Sequence, residues 1–393
     1  MSSHPRIVLV ACCVLSVVSG RSAQAQQSIS EVLSFLVTNR SIPTDDFVRD
    51  EQAAITTRDT IAKLVILELA TIPSSSAGGF AYRFDPALGT VIRSSDSFGP
   101  LFTERSLMGG PGHASFGISY RSTSFENIDG RSLRDGTLVS TASILRGESV
   151  PFDIETVALR IRTDTMTFIG SYGVNDRFDI SAAIPLIRLS LQGERVDTYR
   201  GRALLQATGS ASTSGIGDAV LRAKYNLLRE SASGFAVGGE ARLPTGNEEN
   251  LLGAGRASVT PRFIGSYEGD RVGVHGEVGY SFGGVSDAVE YSAAVTGVAA
   301  PRLTLIGEVL GRRVNGLGRL VETRLPHPSL AGVDTIRLTG SGETTERMDL
   351  VAGFKWNVAR TWLLTANVLR PLTTVGLNAE WVPSVTFDYW FGQ

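Results

Sequence analysis

Cysteine is almost missing from this chain, and the two that occur, Cys12 and Cys13, lie inside an apolar run from Ile7 to Val18. Arg6 precedes that run, and Ala23-Gln24-Ala25 follows it as a small-residue cleavage site, the layout of a secretory signal over residues 1–25. A cut between Ala25 and Gln26 leaves a mature chain without disulfide staples or thiol chemistry. Leu9-Val10-Ala11-Cys12 has the spacing of a lipoprotein cleavage box, but only two apolar residues precede it, so the secretory cut is the expected one.

Long apolar stretches are also lacking. Beyond the leader no segment offers about 18 uninterrupted apolar residues, so any passage through a membrane must be made by strands. Charge of one sign is absent too. The balance of 37 basic to 39 acidic residues provides no field for nucleic acid, and no nucleic-acid partner is expected. Histidine is scarce: His113, His275 and His327 are all that the mature chain holds. No serine stands in a recognisable nucleophile context and no dense ligand cluster occurs, so catalysis, a metal site and a cofactor are not expected.

What the chain does have is glycine, 43 residues of 393 against an average of about 7%, and alternation of period two. Ala219, Leu221, Ala223, Tyr225 and Leu227 share one face of a strand, with Arg222, Lys224 and Asn226 on the other. Phe235, Val237, Gly239, Ala241 and Leu243 repeat the pattern against Glu240 and Arg242. Segments of about ten residues, apolar on one face and polar on the other, suit a barrel between lipid and an aqueous lumen.

Twelve such strands are expected, near 112–121, 164–174, 177–188, 218–228, 234–243, 256–267, 271–282, 288–298, 302–312, 347–357, 361–370 and 381–391. Val157, Leu159 and Ile161 extend the second one upstream, with a parity slip near Arg162-Thr163 that reads as a bulge. Every second link is short, among them Asn175-Asp176, Glu268-Gly269-Asp270 and Ala299-Ala300-Pro301, while 122–163, 189–217 and 313–346 are long. This order fits an up-and-down antiparallel barrel with a short periplasmic rim and both ends of the barrel segment at that rim. Tyr172, Phe178, Phe235, Tyr267, Trp356, Trp362, Tyr389 and Phe391 point outward near it, as an interfacial aromatic girdle should. Tyr120, Tyr280 and Phe282 mark the outer boundary. A secreted sandwich alternates as well, but has no reason to order its links this way.

Residues 26–110 do not read as barrel. Ser28 and Glu31 form a capping box for a short helix, and Asp45–Leu69 carries an apolar stripe of Ile55, Ile61, Leu64, Val65 and Leu69. Phe80–Phe84 and Thr90–Arg93 pair as a small hairpin. This segment is either a helical periplasmic appendage or a plug, placed beside or inside the periplasmic mouth. The division is then 1–25 signal, 26–110 helical or plug segment, and 111–393 all-β transmembrane barrel.

The inward charges are Arg222, Lys224, Glu240, Arg242, Arg256, Arg262, His275, Glu277, Glu290, Glu308, Arg312, Asp349, Lys355 and Asp388. They read as a hydrated, charge-paired interior, or else as a selectivity constriction or a latch for the N-terminal segment. His275 is expected beside Glu277. The mixed signs argue against a strongly ion-selective pore, and twelve strands imply a narrow bore.

Several motifs recur in order: Tyr172-Gly173-Val174-Asn175-Asp176-Arg177-Phe178-Asp179, Gly215-Ile216-Gly217-Asp218 leading to Lys224-Tyr225, Leu243-Pro244-Thr245-Gly246, Gly276-Glu277-Val278-Gly279-Tyr280, and Gly307-Glu308. Physically these are turn and strand-end signals. Asn175-Asp176 suits a turn, Pro244 and Gly246 stop a ladder, and Gly215–Asp218 starts a strand rather than cradling a phosphate, since no helix follows. In this order, over roughly 165–393, they resemble the outer-membrane barrel family named for the meta-pathway of phenol degradation. The resemblance implies a Gram-negative outer-membrane channel for small hydrophobic or aromatic compounds, with no catalytic residues. Gly392-Gln393 departs from the terminal aromatic usual for such barrels.

The expected function is passive diffusion of small hydrophobic molecules through the outer membrane. The expected partners are outer-membrane lipid, the transported molecule and the barrel assembly machinery during biogenesis. The alternative is a structural or surface-interaction barrel whose bore stays closed.

Overall fold

Two-fold alternation in the sequence becomes hydrogen-bonded ladder in the computed structural model, which describes residues 27–38, 47–70, 82–85, 90–93, 96–229, 233–359 and 361–391. The signal segment, the cut at Ala25 and Gln26, and the closing Gly392-Gln393 lie outside the described residues. Among the described residues two helices come first, Ile29–Val37 (α1) and Phe47–Ala70 (α2), followed by the hairpin of Tyr82–Asp85 (β1) and Thr90–Arg93 (β2), in which Asp85 pairs with Thr90. Then come Ala114–Phe125 (β3), Asn127–Ile128 (β4), Arg131–Ser132 (β5), Leu138–Leu145 (β6), Asp153–Asn175 (β7), Phe178–Tyr199 (β8) and Arg202–Ile216 (β9). Next are Ala219–Arg229 (β10), Ser233–Leu243 (β11), Ser258–Glu268 (β12), Val272–Gly283 (β13), Ala288–Ala300 (β14) and Leu303–Val314 (β15). The last are Leu320–Pro326 (β16), Val333–Gly340 (β17), Thr345–Ala359 (β18), Trp362–Pro371 (β19), Leu377–Asn378 (β20) and Val382–Phe391 (β21).

The ladders run β3, β21, β19, β18, β15, β14, β13, β12, β11, β10, β8, β7 and back to β3, all antiparallel. This is a closed ring of twelve strands, the twelve expected. The seam joins Ala114 to Phe391 and Arg121 to Ser384. Outward positions form a continuous apolar belt, with Leu221, Tyr225, Phe235, Phe263, Val295 and Leu305 all exposed. An exposed apolar surface that encircles the barrel is lipid-facing, and the chain is an outer-membrane barrel. Tyr172, Phe235, Tyr267, Trp356, Trp362 and Phe391 are exposed near the short-turn rim, and Trp362 packs against Tyr389 with the rings tilted by 58° and 4.8 Å between centroids.

Three of the expected loops are not loops. About eleven residues suffice for a tilted strand to cross, whereas β7 and β8 have 23 and 22 and pair without interruption from Asp153–Tyr199 down to Gly173–Asp179. Their upper halves rise above the membrane and carry a second sheet, ordered β16, β17, β6, β7, β8, β9. The bulge expected near Arg162-Thr163 is therefore absent, because the register there is continuous on both sides. What changes is the medium. In the membrane Met166, Ile184 and Leu186 face outward and Thr163, Thr165 and Thr167 face in. Above it Arg160, Arg162 and Arg188 are the outward residues, and Val157, Leu159, Ile161, Ile187, Leu189 and Leu191 are buried inside. Lipid outside demands one parity and water outside the opposite one.

The helices fill that upper interior. Ser28 and Glu31 make the expected capping box, with backbone-to-side-chain distances of 2.9 and 3.1 Å. α1 presses Val32, Leu33 and Leu36 onto β8 and β9, where Gly193 leaves room: a Cβ there would stand 2.6 Å from Leu36. α2, about 36 Å long at 1.5 Å per residue, lies along β17, Thr57 donating to the Leu338 carbonyl at 2.9 Å and Asp50 pairing with Arg337. Its stripe of Ile61, Leu64, Val65 and Leu69 is buried, but Ile55 is exposed, contrary to expectation. Both helices thus sit at the long-loop, extracellular end and not at the periplasmic mouth.

Candidate functional site: a strapped lumen

Residues 97–109 form a strap across the lower lumen, held by inward charges of the wall. Ser97 meets Thr296 at 3.0 Å, and the Phe98 amide donates to Thr304 at 3.2 Å. Phe98 itself packs with Leu363 and Trp390. Glu308 accepts the amides of Leu101, Phe102 and Thr103, the last two at 3.0 and 3.2 Å. Lys355 donates to the carbonyls of Phe98 and Pro100. Lys224 donates to the carbonyls of Arg105 and Leu107 at 2.8 and 3.2 Å and pairs with Glu104 at 3.3 Å. Asn226 donates to the Ser106 carbonyl and Asp179 accepts the Gly109 amide, both at 2.8 Å. The strap then leaves at the short-turn rim, where Gly112 and Gly173 pair at 2.8 Å, and a Cβ on Gly173 would collide with the Gly110 carbonyl.

Irregular backbone at membrane depth is tolerated only where its polar groups find partners. A strap without ladder bonds therefore requires acids for its amides and cations for its carbonyls, and the barrel wall supplies both. Ser266, His275 and Glu268 form a row that resembles a nucleophile, base and acid. His275 lies 3.1 Å from Ser266 and 3.7 Å from Glu268 rather than beside Glu277. But the Ser266 hydroxyl accepts the Ser106 amide at 2.9 Å and the row is buried, so it anchors the strap.

Higher in the lumen the charges pair with one another. Glu240 takes Arg222 at 2.7 Å, Arg242 at 3.2 Å and Arg262 at 3.6 Å, and Arg262 reaches Glu277 at 3.4 Å and Glu290 at 2.5 Å. One turn further up, Glu68 of α2 bridges Arg312 and Arg347, and Arg347 also holds Asp349 at 3.1 Å. Between these tiers lies a chamber of about 190 Å³, roofed by Leu67–Leu69 and floored by Phe102 and Glu104.

Of the inward residues expected from sequence, Asp388 is buried on β21, and all the others fall on these tiers except Arg256. Arg256 is exposed in the loop before β12, because β12 begins at Ser258 and not at 256. Sequence reasoning missed Asp179, Ser266 and Arg121, although each stands at inward parity in its strand. The loop motifs interlock as well. Asp218 accepts the amides of Gly246 and Ala254 at 3.0 and 2.8 Å, and Thr245 donates to the Gly217 carbonyl at 2.7 Å. Gly217-Asp218 thus links β9 to β10 and fastens the 244–257 loop.

Comparison with solved structures gives low-similarity likenesses. An outer membrane channel from Pseudomonas putida F1 is 14% identical, covering 72% of this chain and 97% of that one, with a TM-score of 0.44. The P. putida toluene transporter TodX is 10% identical over 75% and 97% with a TM-score of 0.37. A Pseudomonas aeruginosa FadL homologue is 11% identical over 71% and 90% with a TM-score of 0.33. No curated protein matches the chain. The family comparison reaches from β6 into β15 and stops short of the Gly307-Glu308 motif. Through residues 140–305 this chain matches, as its motifs implied, the family described as putative MetA-pathway of phenol degradation.

Proposed function

We propose that this barrel is a channel through which small hydrophobic or aromatic molecules cross the outer membrane by passive diffusion, and that the strap and α2 gate it. The carrying observation is the chamber in mid-lumen, enclosed by two chain segments that are tied to the wall by hydrogen bonds and ion pairs rather than by continuous ladder. Such ties can open one by one without disturbing the barrel. The family match supports the same reading. The inward charges would act as the latch of the gate, outer-membrane lipid would surround the apolar belt, and the barrel assembly machinery would insert the chain. Mature residues 26–110 would act as the gating segment and residues 111–393 as the wall.

The test is planar-bilayer conductance of the full chain beside a Glu308→Gln/Lys355→Met variant, paired with uptake of a neutral aromatic into liposomes. The native chain should open rarely and the variant often, with faster uptake. Silence of both chains, with a barrel still folded by heat-modifiable gel migration, would instead favour a closed structural barrel that acts through its extracellular sheet.

A further inference from the structure

Six arginines and six carboxylates line the mid-lumen chamber. The carboxylates of Glu68, Glu240, Glu277, Glu290 and Asp349 are paired with arginines of the chamber, and Glu104 with Lys224 below it. Arg121 is different: among the described residues it makes no ion pair and no hydrogen bond. Its guanidinium lies over the Phe102 ring, 5.6 Å from the centroid.

The wall around Arg121 is also unlike the rest. Arg121 faces Ser384 across the seam, and Val382, two residues along β21 on the same inward face, pairs with Leu369 of β19. Phe125 lies four residues up β3 on the inward face. Phe102, Phe125, Leu369 and Val382 thus give the guanidinium apolar neighbours; Glu68 and Asp349 act on it through space but are themselves held by Arg312 and Arg347, while β10–β13 opposite are charged. A guanidinium in a confined space favours a planar anion that accepts two parallel N–H bonds, which a carboxylate is. A cavity of about 150 Å³ is enough for benzene, so about 190 Å³ leaves room for one ring and a small substituent.

We propose that the chamber is a binding site for a single-ring aromatic carboxylate, its carboxylate on Arg121 and its ring against Phe102, Phe125, Leu369 and Val382. This deepens the channel reading and rests on it for the biological role, since it makes the favoured passenger an acid rather than a neutral hydrocarbon.

Titration calorimetry of the full chain in detergent with benzoate and with benzamide, its neutral equal in shape, tests the site. Benzoate should bind at least tenfold more tightly than benzamide. Arg121→Gln should remove that preference, and Arg121→Lys, which keeps the charge but loses the fork, should retain part of it. Equal binding of the two probes to the native chain, no binding of either, or an unchanged preference in a folded Arg121→Gln variant overturns the proposal. If Arg121→Gln fails to fold, the native preference and the Arg121→Lys variant decide. Uptake into liposomes separates this from the channel reading. Uptake of benzamide without any preference for benzoate keeps the channel and removes the site. Bound benzoate with no uptake of either probe keeps the site and removes the channel.

Discussion

Glu308 and Lys355 show what single residues do in this lumen: each is a buried charge whose partners are backbone groups of the strap. Hydrogen bonds to charged groups contribute roughly 1.5–3 kcal/mol each, so Glu308→Gln should loosen the strap markedly while the wall ladder is untouched. Because no cysteine follows Cys13 in the sequence, Thr103→Cys provides a reporter with no competing thiol among the described residues. Its maleimide labelling should quicken about tenfold or more in the Glu308→Gln background, and an unchanged rate would mean that Glu308 does not hold the strap. A second residue-scale effect lies above the membrane. Burial, the shared hydrogen bond and charge of Asp197, and the charge of Glu155 push the Asp153 carboxyl up from 3.8 to about 7. The folded upper sheet therefore takes up a proton that the unfolded chain lacks between these values, and its stability falls as pH rises through about 7. Protection from hydrogen exchange in β7 and β8, taken relative to the intrinsic rate at each pH, should rise between pH 8 and pH 6, and Asp153→Asn should flatten that dependence.

At the scale of elements, α1 is held to the upper sheet by close approach. A Gly193→Val substitution places atoms where Leu36 now sits, and overpacking of this kind typically costs about 1–3 kcal/mol. Amide exchange over residues 29–37 should rise while that of β10–β15 stays as it was. All twelve wall strands were legible because lipid on one side and polar lumen on the other impose a strict alternation, as Leu221 and Lys224 illustrate. β6, β9, β16 and β17 were not, since above the membrane water replaces lipid and the inward face turns apolar. The same exchange of media is what the parity slip at Arg162-Thr163 recorded. The helices were legible from the Ser28–Glu31 box and the Leu64–Leu69 stripe, but their placement was not, because an amphipathic face does not say which apolar cavity it fills. Inward charges were visible by parity. Which of them hold the strap was not, as 97–109 has no period of its own.

Taken whole, the molecule has a short rim, a long rim and a sheet standing on the latter. That polarity predicts topology in the cell. Ser149→Cys or Leu330→Cys, both exposed on the long-loop side, should react with an impermeant maleimide on intact cells. Asn175→Cys at the opposite rim should react only after the envelope is opened, and the reverse pattern would invert the barrel. The strap carries one more consequence. Residues 97–109 and Glu68 lie inside a ring built from strands that are synthesised after them. Closing the wall around that inner segment, at the seam of β3 and β21 where the two ends of the ring meet, is the stitch that assembly has to make. A bulky folded partner fused near Gln26 should leave that stitch open and stall the barrel on its way into the membrane.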